Sequence, residues 1–420
     1  SSGHVRVYEY DSEILSWVQL GNDIDGEVAG DVSGNSVSLS TDGSRVAIGA
    51  IKNDGSFADA GHFRVFAYAN SMWSQLGNDI DGEVSSDSFG WVVSLSGTGS
   101  RVAGSARSND AGGISAGHVR IFEYDIAGSS WNQIGANIIG EAGGDESGYS
   151  LSLSSDGDHV AIGARMNDVG GSASNAGHVR VYSYDGVSWL QVGGDIDGAS
   201  TGDQSGISVA LSFDGSHVVI GSTLSDVSFN NAGNVRVFKF DATTWIQIGN
   251  DISGTVSNEK TGVSVAISSY NNRIAVGSLL NDDATVNSGQ VRIFDFDVLS
   301  SSWVQIGADI NGDVIEARAG IVSMSADGRR VAIGAQNAST SGSRGTVRVL
   351  ELGYFPTPEP TGQPSGQPTF SAREWFQMGA NIDGEFAGDR SGWWNAVSLS
   401  SDGNRVAIGA RANDGSGTDS

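Results

Sequence analysis

The sequence predicts an all-β protein: a seven-bladed β-propeller with four antiparallel strands per blade, its last blade closed 2+2 by the chain ends. Three observations predict it. A tryptophan text recurs seven times, each repeat holds four short strand signals, and the two termini carry complementary halves of one repeat.

The repeat reads Trp-x-Gln-x-Gly and begins at Trp17, Trp73, Trp131, Trp189, Trp245, Trp303 and Trp375. The spacings are 56, 58, 58, 56, 58 and 72 residues. A fixed period of this size means a propeller or solenoid, and a solenoid coil of one strand per turn would be far shorter. One propeller over residues 1–420 therefore replaces the two or three domains that length alone suggests.

Within a period the first strand is Gly34 to Ser40, with alternating Val and Leu. Thr41-Asp42-Gly43 then turns the chain into Arg45 to Ala50, and Asp-Gly between two such runs is a strong hairpin signal. Gly61 to Tyr68 is the third strand and Trp73 to Ile80 the fourth. No 3.6-residue periodicity competes with this pattern. The chain starts in a third strand, Gly3 to Tyr10, and leaves its last second strand at Ala410. Joined, the two ends make an ordinary seventh blade with no unpaired edge.

The text Ser33-Gly34 through Arg45-Val-Ala-Ile-Gly-Ala50 to Gly61-His-Phe-Arg-Val-Phe66 resembles the FG-GAP repeat of integrin-α-like propellers. Phe89-Gly90 keeps the literal Phe-Gly, whereas the motif's proline is absent. The resemblance implies the fold and, by analogy, an extracellular adhesion setting. All five prolines fall at 356, 358, 360, 364 and 368, in an insertion over residues 354–372 between strands three and four of blade six. Its Pro-Thr-Gly-Gln text is similar to linkers in repetitive secreted proteins of diatoms and related algae. Such a segment favours polyproline II and cannot join a sheet. Thr357, Thr361, Ser365 and Thr369 are candidate O-glycosylation sites there, and Asn337 opens the single N-glycosylation sequon.

Composition excludes several classes. There is no cysteine, hence no disulfide framework and no thiolate zinc site. The net charge of −26 lacks the basic footprint that nucleic acid requires. No apolar run is long enough for a transmembrane helix, so membrane insertion is not expected. The start at Ser1 carries no basic or apolar leader, which reads as a removed signal peptide or a fragment.

Arginine stands at one position of every third strand: Arg6, Arg64, Arg120, Arg180, Arg236, Arg292 and Arg348. A sevenfold position reads as a fold device, with each guanidinium packed between blades near a repeat tryptophan and a loop aspartate. The seven repeat tryptophans read as packing rather than a sugar platform. Trp91, Trp393 and Trp394 break the register, and Trp393 and Trp394 are the better candidates for a surface contact. An acidic loop follows each fourth strand. Asp23, Asp25, Glu27, Asp79, Asp81, Glu83, Asp195, Asp197, Asp383 and Glu385 are candidate calcium ligands, with solvated Asp-Gly turns as the alternative. His4, His62, His118 and His178 share a position that other blades fill with Asn234, Gln290 and Thr346, which suits hydrogen bonding.

With no triad or phosphate loop in view, the expected function is a non-enzymatic extracellular structural, adhesion or protein-interaction module. Its expected partners are other extracellular proteins or copies of itself, as a filament through exchange of the split blade. The alternative is a glycan- or calcium-dependent, lectin-like propeller.

Overall fold

Short runs with β-branched residues at alternate positions can bury one edge of side chains only against another sheet, and that need shapes the whole chain. The computed structural model describes residues 2–170, 174–338, 343–354 and 373–413. Blade one shows the pattern. Ser33–Leu39, Arg45–Ala50, His62–Ala69 and Met72–Gln75 pair antiparallel in that order. A two-residue strand, Ile80–Asp81, then folds back onto the start of the third strand. Six further sheets repeat this, and among the described residues there is no helix.

The seventh blade joins the ends. Val397–Leu399 and Arg405–Ala410 continue into His4–Asp11 and Ser16–Gln19. Six residue pairs, His4 with Ala410 through Glu9 with Arg405, close the ring. The Arg405 guanidinium adds an ion pair to Glu9 at 2.8 Å. The chain between the third and fourth strands of blade six, Thr346–Tyr354 and Arg373–Gln377, is the proline insertion. Residues 355–372, with Thr357, Thr361, Ser365 and Thr369, lie outside the described residues. Asn337 is half-buried in a loop of blade six, and its sequon serine is also outside them.

The core is not central but divided among the seams. Seven apolar clusters each join neighbouring blades; one gathers Val5, Val7 and Ala407 of blade seven with Val37, Leu39, Val46, Ile48 and Phe66 of blade one. Polar devices stitch the same seams. Inside, backbone N–H groups donate to the previous blade's serines: Leu95 to Ser38 at 2.9 Å, Leu153 to Ser94 and Leu211 to Ser152 at 3.0 Å. This explains the Ser-x-Ser-Leu text.

Outside, each repeat indole donates to a carbonyl of the previous blade. Trp17 reaches Met378, Trp73 Leu20, Trp131 Leu76 and Trp189 Ile134. Trp245 reaches Val192, Trp303 Ile248 and Trp375 Ile306. The indole lies over the glycine that ends the previous repeat. At Gly249, with φ +71°, a Cβ would stand 2.7 Å from Trp303 Cδ1. Only glycine fits both the backbone and the ring.

Candidate functional site

Both ends of the ring's channel are lined by serines and aliphatic residues, and the upper cavity of about 260 Å³ shows no titratable side chain in its wall. Chemistry has to come from its mouth. The upper face gathers the starts of the first strands, the ends of the second and the starts of the third.

The arginine ring lies on this face, between blades. Each guanidinium donates to a carbonyl in the preceding blade: Arg6 to Asp383, Arg64 to Asp25, Arg120 to Asp81, Arg180 to Ile139, Arg236 to Asp197, Arg292 to Ser253 and Arg348 to Asn311. Glu385, Glu27 and Glu83 pair with Arg6, Arg64 and Arg120 at 3.3, 3.3 and 3.6 Å. In six blades the aromatic partner is the ring two residues on, as Arg64 over Phe66 at 5.2 Å, and not the repeat tryptophan expected from the sequence; blade six has Leu350 there. Tryptophan sits at the far, outer edge of the blade.

The acidic-loop aspartates divide by position. Asp23, Asp79 and Asp195 each accept from the repeat glutamine, Gln19, Gln75 and Gln191, at 2.6 Å. They also approach His4, His62 and His178. Burial first, and then the neighbouring arginine, lowers the pKa of all four repeat histidines, to about 4 for His118 and His178. They stand neutral in the wheel. The hydrogen bonds expected of them do not form: both ring nitrogens of His4, His62 and His118 lack a partner.

Sevenfold repetition breaks at the channel mouth. Trp91 opens the first strand of blade two, Tyr149 that of blade three, and blade seven inserts Trp393 and Trp394 before Val397. Trp91 donates from Nε1 to the Tyr149 carbonyl at 3.0 Å, with ring centroids 5.7 Å apart. Trp394 leans over the channel to meet Tyr149 edge-on at 6.4 Å. It does so from a left-handed backbone, φ +45°. A bulky residue there stores strain, and such strain concentrates at functional positions.

Arginines cover these rings. Arg107 lies 3.8 Å above Trp91, and Arg165 lies 3.9 Å above Tyr149. Arg390 and Arg411 flank Trp393 at 4.9 and 4.5 Å. Glu146 sits between the first pair, accepting from Arg165 Nε at 2.8 Å and Arg107 at 3.5 Å. Burial, followed by Arg390, lowers the Arg411 pKa to about 10. Lys260 and Arg318 occupy the register position of Arg390 in blades five and six, two residues before the first-strand glycine. A chain of net charge −26 thus concentrates cations and aromatic faces at one opening. Such an opening suits a ring-shaped ligand bearing an anionic group.

Sequence reasoning singled out Trp393 and Trp394 but missed Arg107, Arg165, Arg411, Tyr149 and Glu146. The available signal was departure from the repeat: at the position after the second strand, Ile51, Thr223, Leu279 and Gln336 stand where the others are arginine.

No family model and no curated protein matches this chain. Solved structures do. A Bacteroides uniformis protein, provisionally assigned as a 6-phosphogluconolactonase, aligns at TM-score 0.54 and 13% identity over 91% of this chain and 97% of its own. The periplasmic gluconolactonase of Pseudomonas aeruginosa aligns at 0.51 and 15%, over 90% and 99%. Kuenenia stuttgartiensis hydrazine synthase aligns at 0.54 and 13%, over 91% and 98%. At these identities the shared property is the seven-bladed propeller fold.

The neighbours correct the expectation of a non-enzymatic structural, adhesion or filament module. That expectation rested on analogy to adhesion propellers, and the matching propellers carry lactonase and synthase names. Its second support, that no blade is specialised, fails at the channel mouth.

Proposed function

We propose that this propeller is a hydrolase of anionic sugar lactones, with its site at the upper channel mouth. The observation that carries the reading is the non-repeating cluster of Arg107, Arg165, Trp91, Tyr149 and Trp394 around Glu146. The lactonase names of two structural neighbours favour the same substrate class. The FG-GAP-like text describes seam packing and leaves the mouth unspecified, so kinship to that family stands as a proposal.

In this reading Trp394, which lines the channel cavity, stacks on the sugar ring. Arg411 and Arg390 take the phosphate or carboxylate, and Arg107 draws charge onto the lactone carbonyl oxygen. Glu146 orients water and receives its proton. The new C–O bond forms, the ring C–O bond breaks, and the proton passes to the departing hydroxyl.

The test is hydrolysis of glucono-δ-lactone and its 6-phosphate, followed by acid release above the spontaneous rate. Wild type should accelerate the phosphorylated lactone, and E146Q should lose about 100-fold or more of that acceleration. No acceleration of either lactone, with no binding of 6-phosphogluconate, overturns the proposal.

A further inference from the structure

Three of the four histidine seams gather two carboxylates around the imidazole, and they lie apart from the channel mouth. We propose that the seams at His4, His62 and His178 bind first-row divalent metal ions of the zinc type, through imidazole nitrogen and carboxylate oxygen.

The sets are His4 with Asp23 and Asp25, His62 with Glu27 and Asp79, and His178 with Glu141 and Asp195. His4, His62 and His178 are each 1% exposed. A buried ring nitrogen without a partner, as at His4 and His62, costs on the order of 1–3 kcal/mol, so these positions hold unspent binding capacity. The separations fit an ion. The ligand atoms of His62, Glu27 and Asp79 lie within 4.8 Å of one another; His178 Nδ1 stands 3.9 Å from Glu141 Oε2 and 3.8 Å from Asp195 Oδ2, and His4 Nδ1 is 4.0 Å from Asp23 Oδ2. These distances are too long for hydrogen bonds. Two ligands bonded at about 2.1 Å to one tetrahedral ion stand about 3.4 Å apart, so the groups would close by about 0.5 Å around it.

The outer partners are also in place. Asp23 and Asp195 each give Oδ1 to the repeat glutamine and turn Oδ2 toward the imidazole, as Asp195 Oδ1 to Gln191 at 2.6 Å. Glu141 likewise gives Oε1 to Arg180 at 3.3 Å and keeps Oε2 for the histidine. Such partners orient ligands at metal sites. A nitrogen donor with two carboxylates selects zinc-like ions over calcium, which takes an all-oxygen shell.

Two blades act as internal controls. Around His118 the aspartate positions hold Asn137 and Ile139. In blade four Asn234 replaces histidine, and its amide donates directly to Asp251 at 2.9 Å, filling the gap without an ion.

The test is equilibrium dialysis of chelator-stripped full chain against zinc, with calcium in excess and no sugar present. Its outcome is therefore independent of any lactonase activity. About three zinc ions per chain are expected. The H4N/H62N/H178N variant, built on blade four's own solution, should bind none, whereas H118N should keep all three. If the triple variant does not fold, D23N/D79N/D195N reads the same loss. Wild type that binds no zinc, or zinc retained in both sets of variants, overturns the proposal.

Discussion

Replacing Gly249 with alanine perturbs the seam where one blade seats the indole of the next. The residue has φ +71°, where an L side chain costs about 1–2 kcal/mol. The new Cβ would stand 2.7 Å from Trp303 Cδ1 and 3.0 Å from its Nε1, well inside normal contact. Trp303 has little room to yield: it is 9% exposed, its ring lies 5.1 Å from Phe296, and its N–H reaches Ile248. Displacing it adds about 1–3 kcal/mol of overpacking. G249A should therefore cost about 3 kcal/mol in urea unfolding followed by far-ultraviolet circular dichroism. W303A alone should cost about 3–5 kcal/mol. In the double variant the clash has gone and only the backbone cost remains, so the two losses should fall short of additivity by at least about 1 kcal/mol. Additivity within about 0.5 kcal/mol would refute the indole seat as the reason for glycine.

Three further outcomes follow from the geometry. R411A should weaken binding of 6-phosphogluconate by about 10–100-fold by calorimetry, the range of one charge-assisted contact, and added salt should weaken wild-type binding further. Unchanged affinity in R411A would move the anion site elsewhere. His118, facing Arg120 and Glu83, has its pKa lowered to about 4, mainly by burial, so the unfolded chain binds the proton more readily. Its contribution is complete above the ordinary value of 6.5 and is lost as pH falls toward 4. This amounts to about 3 kcal/mol, and H118N should flatten the stability profile in that window. Finally, a chain ending at Ala396 leaves His4–Asp11 without Arg405–Ala410 and should aggregate or lose its cooperative transition in light scattering and thermal melts. A monomeric truncation with an unchanged transition would show that closure is dispensable.

The wheel was legible because its packing needs recur in phase. Trp17 through Trp375 mark the outer seam, the serine text marks the inner seam, and Gly3 to Tyr10 visibly lacks the strands that Arg405 to Ala410 supplies. The channel mouth was not legible for the opposite reason. Trp91, Tyr149 and Trp394 belong to blades two, three and seven, and only ring closure brings blade seven beside the others. Arg107 and Arg165 look like loop residues until the turn of the sheet lays them across Trp91 and Tyr149. The histidines differ again: Asn234, Gln290 and Thr346 at the same position suggest hydrogen bonding, but an imidazole held 3.8–4.0 Å from carboxylate oxygens has a gap that Asn234, donating directly to Asp251, does not share.

Closure also sets how the wheel responds to tension. The Gly3 N–H meets the Asn413 carbonyl at 3.0 Å, so the chain leaves the last sheet on both sides at one edge. A pull on the two ends loads His4 and Ala410 first and then each rung in turn, peeling the ladder as a zipper opens. Sliding all six rungs at once would resist far more. The seams between blades are held by apolar clusters and cross-blade hydrogen bonds, whereas the closing ladder opens one rung at a time under tension.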